Sequence, residues 1–301
     1  GDLRVGNLET PTSPDHSPDN NALSFTFNAP TEMLEALPLD LLQLNNNHSL
    51  DVDDLGLEST VAQVEVHGYQ HVGVDAQRSV DVKGFKVALL AYTWGINNGR
   101  RSKKGHELHI IPFGHLDHPI DLSLVEEQAH QARDEGAEIV VVLVHWGFEY
   151  EWYPDPHFLV LGRRIVEAGA DLVVGQGPHV VQPVEICHVN QPEQVPGVGT
   201  CSVRDPIDER TRTAAILYSL GNFGTTMPML SQRVGLVATV SIATRGVTGL
   251  GWSAAVSQAI KDSGGTTTGQ SVVPLADLLS DPIYAEEDQR LESHLGQRWR
   301  R

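Results

Sequence analysis

The stretch Ile139-Val140-Val141-Val142-Leu143-Val144-His145-Trp146-Gly147 decides the fold. Six consecutive strand-forming residues without alternation read as a strand buried on both faces, as in a parallel sheet covered by helices. The strand ends on an imidazole, an aromatic ring and a glycine. In open α/β folds that carboxyl edge is where ligands and metals bind. The same event occurs twice more. Residues 40–44 run into Asn45-Asn46-Asn47-His48, and residues 171–174 run into Gly175-Gln176-Gly177-Pro178-His179. Three strand ends that each close on a histidine predict one convergent site.

Working outward, Ser123-x-x-Glu126 reads as a capping box opening a helix that runs to Gly136. A second helix spans residues 156–168 and stops at Gly169. With the strands around them, this β-α-β-α-β rhythm predicts parallel pairing with helices on the faces. Upstream, residues 3–8 form a short strand ending at Glu9, residues 24–28 an edge strand, and residues 39–44 a further strand. A helix starts near Thr31, and another spans residues 54–66 and stops at Gly68. Residues 80–82 and 86–92 form a hairpin around Lys83-Gly84. Residues 95–109 are polar, glycine-rich and basic, hence a loop. Beyond residue 180, strands at 184–186, 215–219, 236–243 and 249–258 read as antiparallel. The charged tail 285–301 reads as a surface helix or a disordered segment. The expected organisation is one domain over residues 1–260 and a C-terminal extension over 261–301.

At 301 residues and 40% hydrophobic content, the chain can bury a full core. Its net charge of −18, from 39 acidic against 21 basic residues, argues against nucleic acid as a partner and against adhesion to an anionic membrane surface. An anionic substrate would then need a metal or helix N-termini to hold it. Of the 14 histidines, those at strand ends carry the functional reading. The two cysteines, Cys187 and Cys201, flank a Pro/Gly/Gln-rich loop and read equally as a disulfide of an exported protein or as two free thiols. No apolar run approaches the roughly 20 residues of a membrane span. The chain opens on Gly1-Asp2-Leu3-Arg4 without an initiator methionine. We therefore expect the natural start, with any export signal or anchor, to lie upstream. That predicts an extracytoplasmic or envelope-associated protein, with a cytoplasmic one as the alternative.

Five motifs occur in order: Asn7-Leu8-Glu9-Thr10-Pro11, Asn46-Asn47-His48-Ser49-x-Asp51, His145-Trp146-Gly147-x-Glu149-Tyr150, Gly175-x-Gly177-Pro178-His179-Val180-x-Gln182 and Tyr218-Ser219-Leu220-Gly221-Asn222-Phe223. Together they resemble the bacterial capsule-synthesis protein family CapA, also called PgsA or poly-γ-glutamate biosynthesis protein. The likeness covers roughly residues 2–245. That family is similar to calcineurin-like metallophosphoesterases. The resemblance therefore implies a four-layer α/β/β/α sandwich with metals at the strand ends.

The residues themselves suit that chemistry. Glu9 can bridge divalent cations, Asn47 offers an amide oxygen, and His145 and His179 offer imidazoles; these four are the expected metal ligands. His48 is expected as a general acid or oxyanion contact, with Glu149 and Asn222 completing the catalytic set. The competing readings are a charged residue before a loop for Glu9 and an ordinary Asn-rich turn for residues 45–47. For His145 the competing reading is a core histidine. The expected ion is Mn²⁺, Zn²⁺ or Fe, which imidazole nitrogen suits.

Two departures qualify the carry-over. Metallophosphoesterases use a Gly-His-x-His turn, whereas Gly177 stands two residues before His179 and Gln176 stands beside it. The family's opening Gly-Asp strand is expected upstream of residue 1. The first predicts at most one tightly bound ion, and the second little or no hydrolysis by residues 1–301 alone. Three functions follow: a metal-dependent hydrolase of capsule or poly-γ-glutamate metabolism, a phosphomonoesterase or phosphodiesterase, and a non-catalytic binding or assembly subunit with a degenerate metal site. The partners expected are an anionic polymer or phosphoester substrate and a membrane-associated synthesis complex.

Overall fold

The computed structural model describes residues 1–17, 19–21, 26–75, 77–111, 120–191, 199–244, 246–265 and 267–295. Ser24 and Phe25 of the expected edge strand, residues 192–198 of the loop between the cysteines, and the tail beyond residue 295 lie outside them. The chain divides into two units, Gly1–His145 and Trp146–Arg301. Each is a mixed α/β structure, as the strand and helix pattern predicts.

The first unit carries a three-stranded parallel sheet, Val5–Asn7, Leu41–Gln43 and Gln70–Val72, with Leu41–Gln43 in the middle. Its core gathers Leu8, Leu34, Leu42, Leu44, Leu57 and Val64. Leu57 and Val64 come from one face of helix Asp53–Val66, seven residues apart, as helical periodicity requires. Gly68, at φ 86°, closes that helix by donating to the Glu65 carbonyl. In the same unit Arg78–Val82 and Phe85–Thr93 form the expected antiparallel hairpin around Lys83-Gly84. Phe85–Thr93 also runs parallel to Ile139–His145, in a register from Val87 opposite Ile139 to Thr93 opposite His145. All seven residues of Ile139–His145 are buried, so its unbroken apolar run is explained.

Between these two parallel strands lies helix Ser123–Asp134, which buries Val125, Ala129 and Ala132. Ser123 is not its cap, contrary to the capping-box reading. The helix begins on Ser123, and Asp121 Oδ1 accepts from both the Ser123 amide (3.0 Å) and its hydroxyl (2.7 Å). A carboxylate is the stronger acceptor, and it takes the role the hydroxyl was assigned.

The second unit opens with helix Pro156–Glu167, capped by Asp155, whose side chain accepts from the His157 amide at 2.9 Å. Its strands run in the order Thr200–Val203, Val184–Val189, Arg212–Leu217, Leu172–Gln176. They are not wholly antiparallel. Arg212–Leu217 opposes Val184–Val189 but runs parallel to Leu172–Gln176, and Thr200–Val203 runs parallel to Val184–Val189. A meander of Val234–Ala243, Gly246–Lys261 and Thr267–Pro274 completes the strands. Cys187 and Cys201 are register partners on adjacent strands and form a disulfide. Buried Arg212 pairs with Asp171 (3.0 Å) and Asp205 (2.9 Å).

The charged tail folds as helix Pro282–Leu295, and it is not wholly solvated. Leu291 and Leu295 pack with Val181, Val234 and Val256, while Arg290 lies over the Trp152 ring at 4.4 Å. Among the described residues no helix is long and apolar enough to cross a membrane.

Candidate functional site

Parallel pairing places two of the sequence motifs at one sheet edge. Asn7 lies opposite Gln43, so the chain reaches Glu9 on one strand as it reaches Asn45 on the next. Asn46 ties the two together: its Nδ2 donates to Asn7 Oδ1 (3.1 Å) and to the Leu8 carbonyl (2.8 Å). Asn7 Nδ2 in turn reaches Glu9 Oε2 at 3.4 Å. Asn45 turns inward, donating to the carbonyls of Ala91 and His109. Asn45 and Asn46 are thus structural, as the plain Asn-turn reading held for this stretch.

Asn47 differs. Its Nδ2 donates to Asn97 Oδ1 at 3.2 Å, but its Oδ1 is buried and accepts no hydrogen bond. A buried acceptor without a partner costs about 1–3 kcal/mol and calls for an explanation. His145, 2% exposed, brings Nε2 to 3.7 Å from Glu9 Oε1. Two donor atoms on one ion with bonds of about 2.0–2.2 Å lie roughly 3–4 Å apart. The spacing of Glu9 Oε1 and His145 Nε2 is one that a shared divalent cation would allow.

His48, linked to Asn47 through Asn97, is held from two sides. Its Nδ1 donates to Asp51 Oδ2 at 2.6 Å, which makes Nε2 the acceptor, 3.3 Å from Asn97 Nδ2. Asn97 thus bonds both Asn47 and His48. Sequence reading missed it, because it lies in the polar 95–109 loop with no motif around it. Arg100 was missed for the same reason; its guanidinium donates to the carbonyls of Leu50 and Asp51 and fixes the turn that carries His48.

In the second unit, His179 adopts φ 61°, a left-handed conformation unusual for a side-chain-bearing residue. Asn222 holds its ring. Asn222 Nδ2 donates to the Gln232 carbonyl at 2.8 Å, which orients the amide so that Oδ1 accepts from His179 Nδ1 at 3.0 Å. His179 Nε2 is then the lone-pair nitrogen, the form a metal ligand needs. Asn222, expected in the catalytic set, bonds the His179 ring directly. Glu149 is exposed.

Trp146 is the anchor of this region, 1% exposed, with Nε1 donating to the Tyr218 carbonyl at 2.9 Å. A Cβ on Gly175 would lie 2.2 Å from both Trp146 Nε1 and the Tyr218 carbonyl oxygen. The glycine before the His179 turn is there for close approach. One more cluster is notable: among the described residues, Glu185, Cys187 and Cys201 lie within 4.8 Å of one another. The cysteines are bonded to each other, and Glu185 is engaged by Arg163 and by the Tyr218 hydroxyl. That cluster is structural.

The sequence profile described as bacterial capsule synthesis protein PGA_cap matches residues 1–226. The chain is 28% identical over 233 residues to the PGA biosynthesis protein CapA of Bacillus subtilis, covering 74% of this chain and 53% of that protein. It is 29% identical over 191 residues to the capsule biosynthesis protein CapA of Bacillus anthracis, covering 61% and 39%. A Mycobacterium tuberculosis protein named as a probable polyglutamine synthesis accessory protein is 27% identical over 169 residues, covering 51% and 43%. The chain thus spans about half or less of the length of these relatives.

Proposed function

Since the chain belongs to the bacterial capsule synthesis protein family PGA_cap, we propose that it serves capsule or poly-γ-glutamate biosynthesis through a metal-dependent hydrolytic site. The observation that carries this reading is the 3.7 Å approach of His145 Nε2 to Glu9 Oε1, and the buried Asn47 Oδ1 that accepts no hydrogen bond supports it. In this reading Glu9, Asn47 and His145 hold a divalent cation, Mn²⁺, Zn²⁺ or Fe, and His179, in its own unit, is a candidate imidazole ligand. The ion supplies Lewis acidity toward a phosphoryl or acyl oxygen.

The remaining roles follow from this chain's own hydrogen bonds. Asp51 fixes the His48 ring so that Nε2 is the atom able to exchange a proton. Asn97 sets where that nitrogen points. Asn222 accepts from His179 Nδ1, which leaves the lone pair on Nε2. The exposed Glu149 is a substrate contact. The Cys187–Cys201 disulfide supports an extracytoplasmic setting, since such bonds persist in oxidising compartments.

A second reading has its own support. Gly177 adopts φ 120°, a conformation that an imidazole-bearing residue does not readily take. The position is built without the paired histidine of a two-metal turn, which favours a binding or assembly subunit with a reduced site.

Calorimetric titration with Mn²⁺ and Zn²⁺, followed by assays of γ-glutamyl and phosphodiester hydrolysis, separates the two. The hydrolase reading expects one ion per chain, affinity reduced at least tenfold in Asn47→Ala and His145→Ala, and turnover that follows metal occupancy. Metal binding without turnover on either substrate class supports the subunit reading. No binding of either ion to the unaltered protein overturns the metal site.

A further inference from the structure

A cavity of about 370 Å³ opens in the first unit beside the basic loop. Leu50, Ile96, Leu108 and Ile110 form its apolar walls and Arg100 and Arg101 its cationic rim, with Ser102 and the His106 that pairs with Glu58 and Asp75 completing the lining. On a chain with 39 acidic and 21 basic residues, several cations of this unit meet a carboxylate: Lys104 meets Glu58, Lys83 meets Asp2 and Arg4 meets Asp40. Arg101 is exposed and forms no ion pair among the described residues. The neighbouring Arg100 is committed through Nη1 to two backbone carbonyls and likewise has no carboxylate partner among the described residues. Leaving adjacent guanidiniums unneutralised on an acidic protein, at the mouth of an apolar-walled cavity, suits a ligand that brings its own negative charge. The guanidinium fork matches a carboxylate in bidentate fashion. Apolar walls below it suit a short run of methylenes.

We propose that this cavity is a carboxylate subsite that takes one glutamyl unit of an acidic oligopeptide, with Arg101 binding the carboxylate and the apolar walls covering the methylenes. The cavity lies next to the candidate site. Ile96 and Arg100 flank Asn97, whose amide bonds Asn47 and His48. A chain anchored at Arg101 would therefore pass Asn97 and the Asn47 and His48 side chains it bonds. The proposal deepens the biosynthetic reading above and rests on it.

The test is fluorescence anisotropy of a labelled γ-linked glutamate decamer with the full chain at low ionic strength. Arg101→Gln is expected to weaken binding at least tenfold, and Arg101→Lys by several-fold, because a point charge does not reproduce the fork. Lys261→Gln, an exposed cation in the other unit, makes the same charge change and is expected to shift binding less than twofold. Decamer binding that is equal in Arg101→Gln and the unaltered protein overturns the subsite but leaves the metal titration above to judge the biosynthetic reading. Polyphosphate of matched charge that binds as tightly, with the same dependence on Arg101, overturns the carboxylate assignment. A decamer that fails to bind at millimolar concentration overturns the proposal outright, whatever the metal titration shows.

Discussion

His48 Nδ1 and Asp51 Oδ2 lie 2.6 Å apart, with both residues buried. The same carboxylate oxygen accepts from the Phe27 amide at 2.8 Å, and the Phe27 ring lies 4.5 Å from the imidazole. Asp51 thus sets the histidine and also holds a neighbouring strand. Asp51→Ala is expected to cost about 2 kcal/mol, the loss of hydrogen bonds to a charged acceptor. Asp51→Asn should cost less, because the amide oxygen still accepts from one of the two donors. Urea denaturation measures both, and a loss below about 0.5 kcal/mol for the alanine variant would contradict this account.

Gly175 is fixed by its neighbours. Any Cβ there meets the Trp146 ring and the Tyr218 backbone at 2.2 Å, and neither can move away cheaply because they are bonded to each other. Gly175→Ala should destabilise the protein by about 3 kcal/mol, at the upper end of overpacking costs. Trp146 fluorescence and denaturation midpoints are the readouts. A variant with an unchanged midpoint would show that the strand shifts freely.

What was legible in the sequence divides along physical lines. The run Ile139–His145 announced itself because burial on both faces removes alternation, and the hairpin at Lys83-Gly84 because a left-handed turn restricts residue choice. Helices read well where apolar spacing and a closing glycine agreed, as in Asp53–Val66. The strand Thr200–Val203 was illegible because four residues carry no usable period, and its pairing is set by a partner distant in sequence. The antiparallel pairs expected beyond residue 180 formed, Val184–Val189 with Arg212–Leu217 and Val234–Ala243 with Gly246–Lys261. The parallel pairing of Arg212–Leu217 with Leu172–Gln176 was not legible, because nothing local reports which further neighbour a strand will take. In the site, histidines stood out by residue type. Asn97 and Arg100 were hidden, since their roles come from contacts some 50 residues away in the chain.

His106 predicts a pH signature. Its pKa is raised, first by the hydrogen bond to Asp75 (2.7 Å) and then by Glu58 (3.1 Å). Lys104 shares Glu58, and Asp54 lies close enough to feel the ring charge. A raised histidine pKa contributes stability that is fully present below the unfolded value of about 6.5 and is lost as pH rises through the folded value. Asp75 and Glu58 have lowered pKa values, so their contribution is present above their unfolded values and is lost at acid pH. The cluster should therefore stabilise most between about pH 4.5 and 6.5. Thermal melts of the protein and of His106→Asn should converge between pH 6 and 8.5. Parallel profiles across that range would remove the cluster from the account.

The disulfide offers a cleaner stability test. Cys187 and Cys201 are separated by 14 residues in sequence, and both are buried. Cross-linking a loop of that size stabilises by about 3 kcal/mol through the unfolded chain. The paired Cys187→Ala and Cys201→Ala variant should lose about that much, and its midpoint should no longer respond to reductant. Thiol titration of the unaltered, denatured protein should find no free thiol before reduction. Two titratable thiols would show that the strands hold together without the bond.

Gly177 bears on how many ions the proposed site would hold. Metallophosphoesterase-type turns place an imidazole two residues before the last histidine, yet Gly177 at φ 120° occupies a backbone region that side-chain-bearing residues avoid. Its neighbours constrain the turn further: the Pro178 carbonyl accepts from the Tyr150 amide at 2.8 Å, and the Gln176 carbonyl from the Trp146 amide at 2.7 Å. Supplying the imidazole by Gly177→His would therefore have to distort a turn bonded on both sides. We expect that variant to lose about 1–3 kcal/mol of stability, the cost of forcing a side chain into a sparse backbone region. We expect it to gain no second ion: titration with Mn²⁺ should give one site or fewer per chain before and after the change. If Gly177→His bound two ions tightly and kept its stability, the turn would be adaptable. The reduced site would then be a matter of one missing side chain rather than of backbone shape.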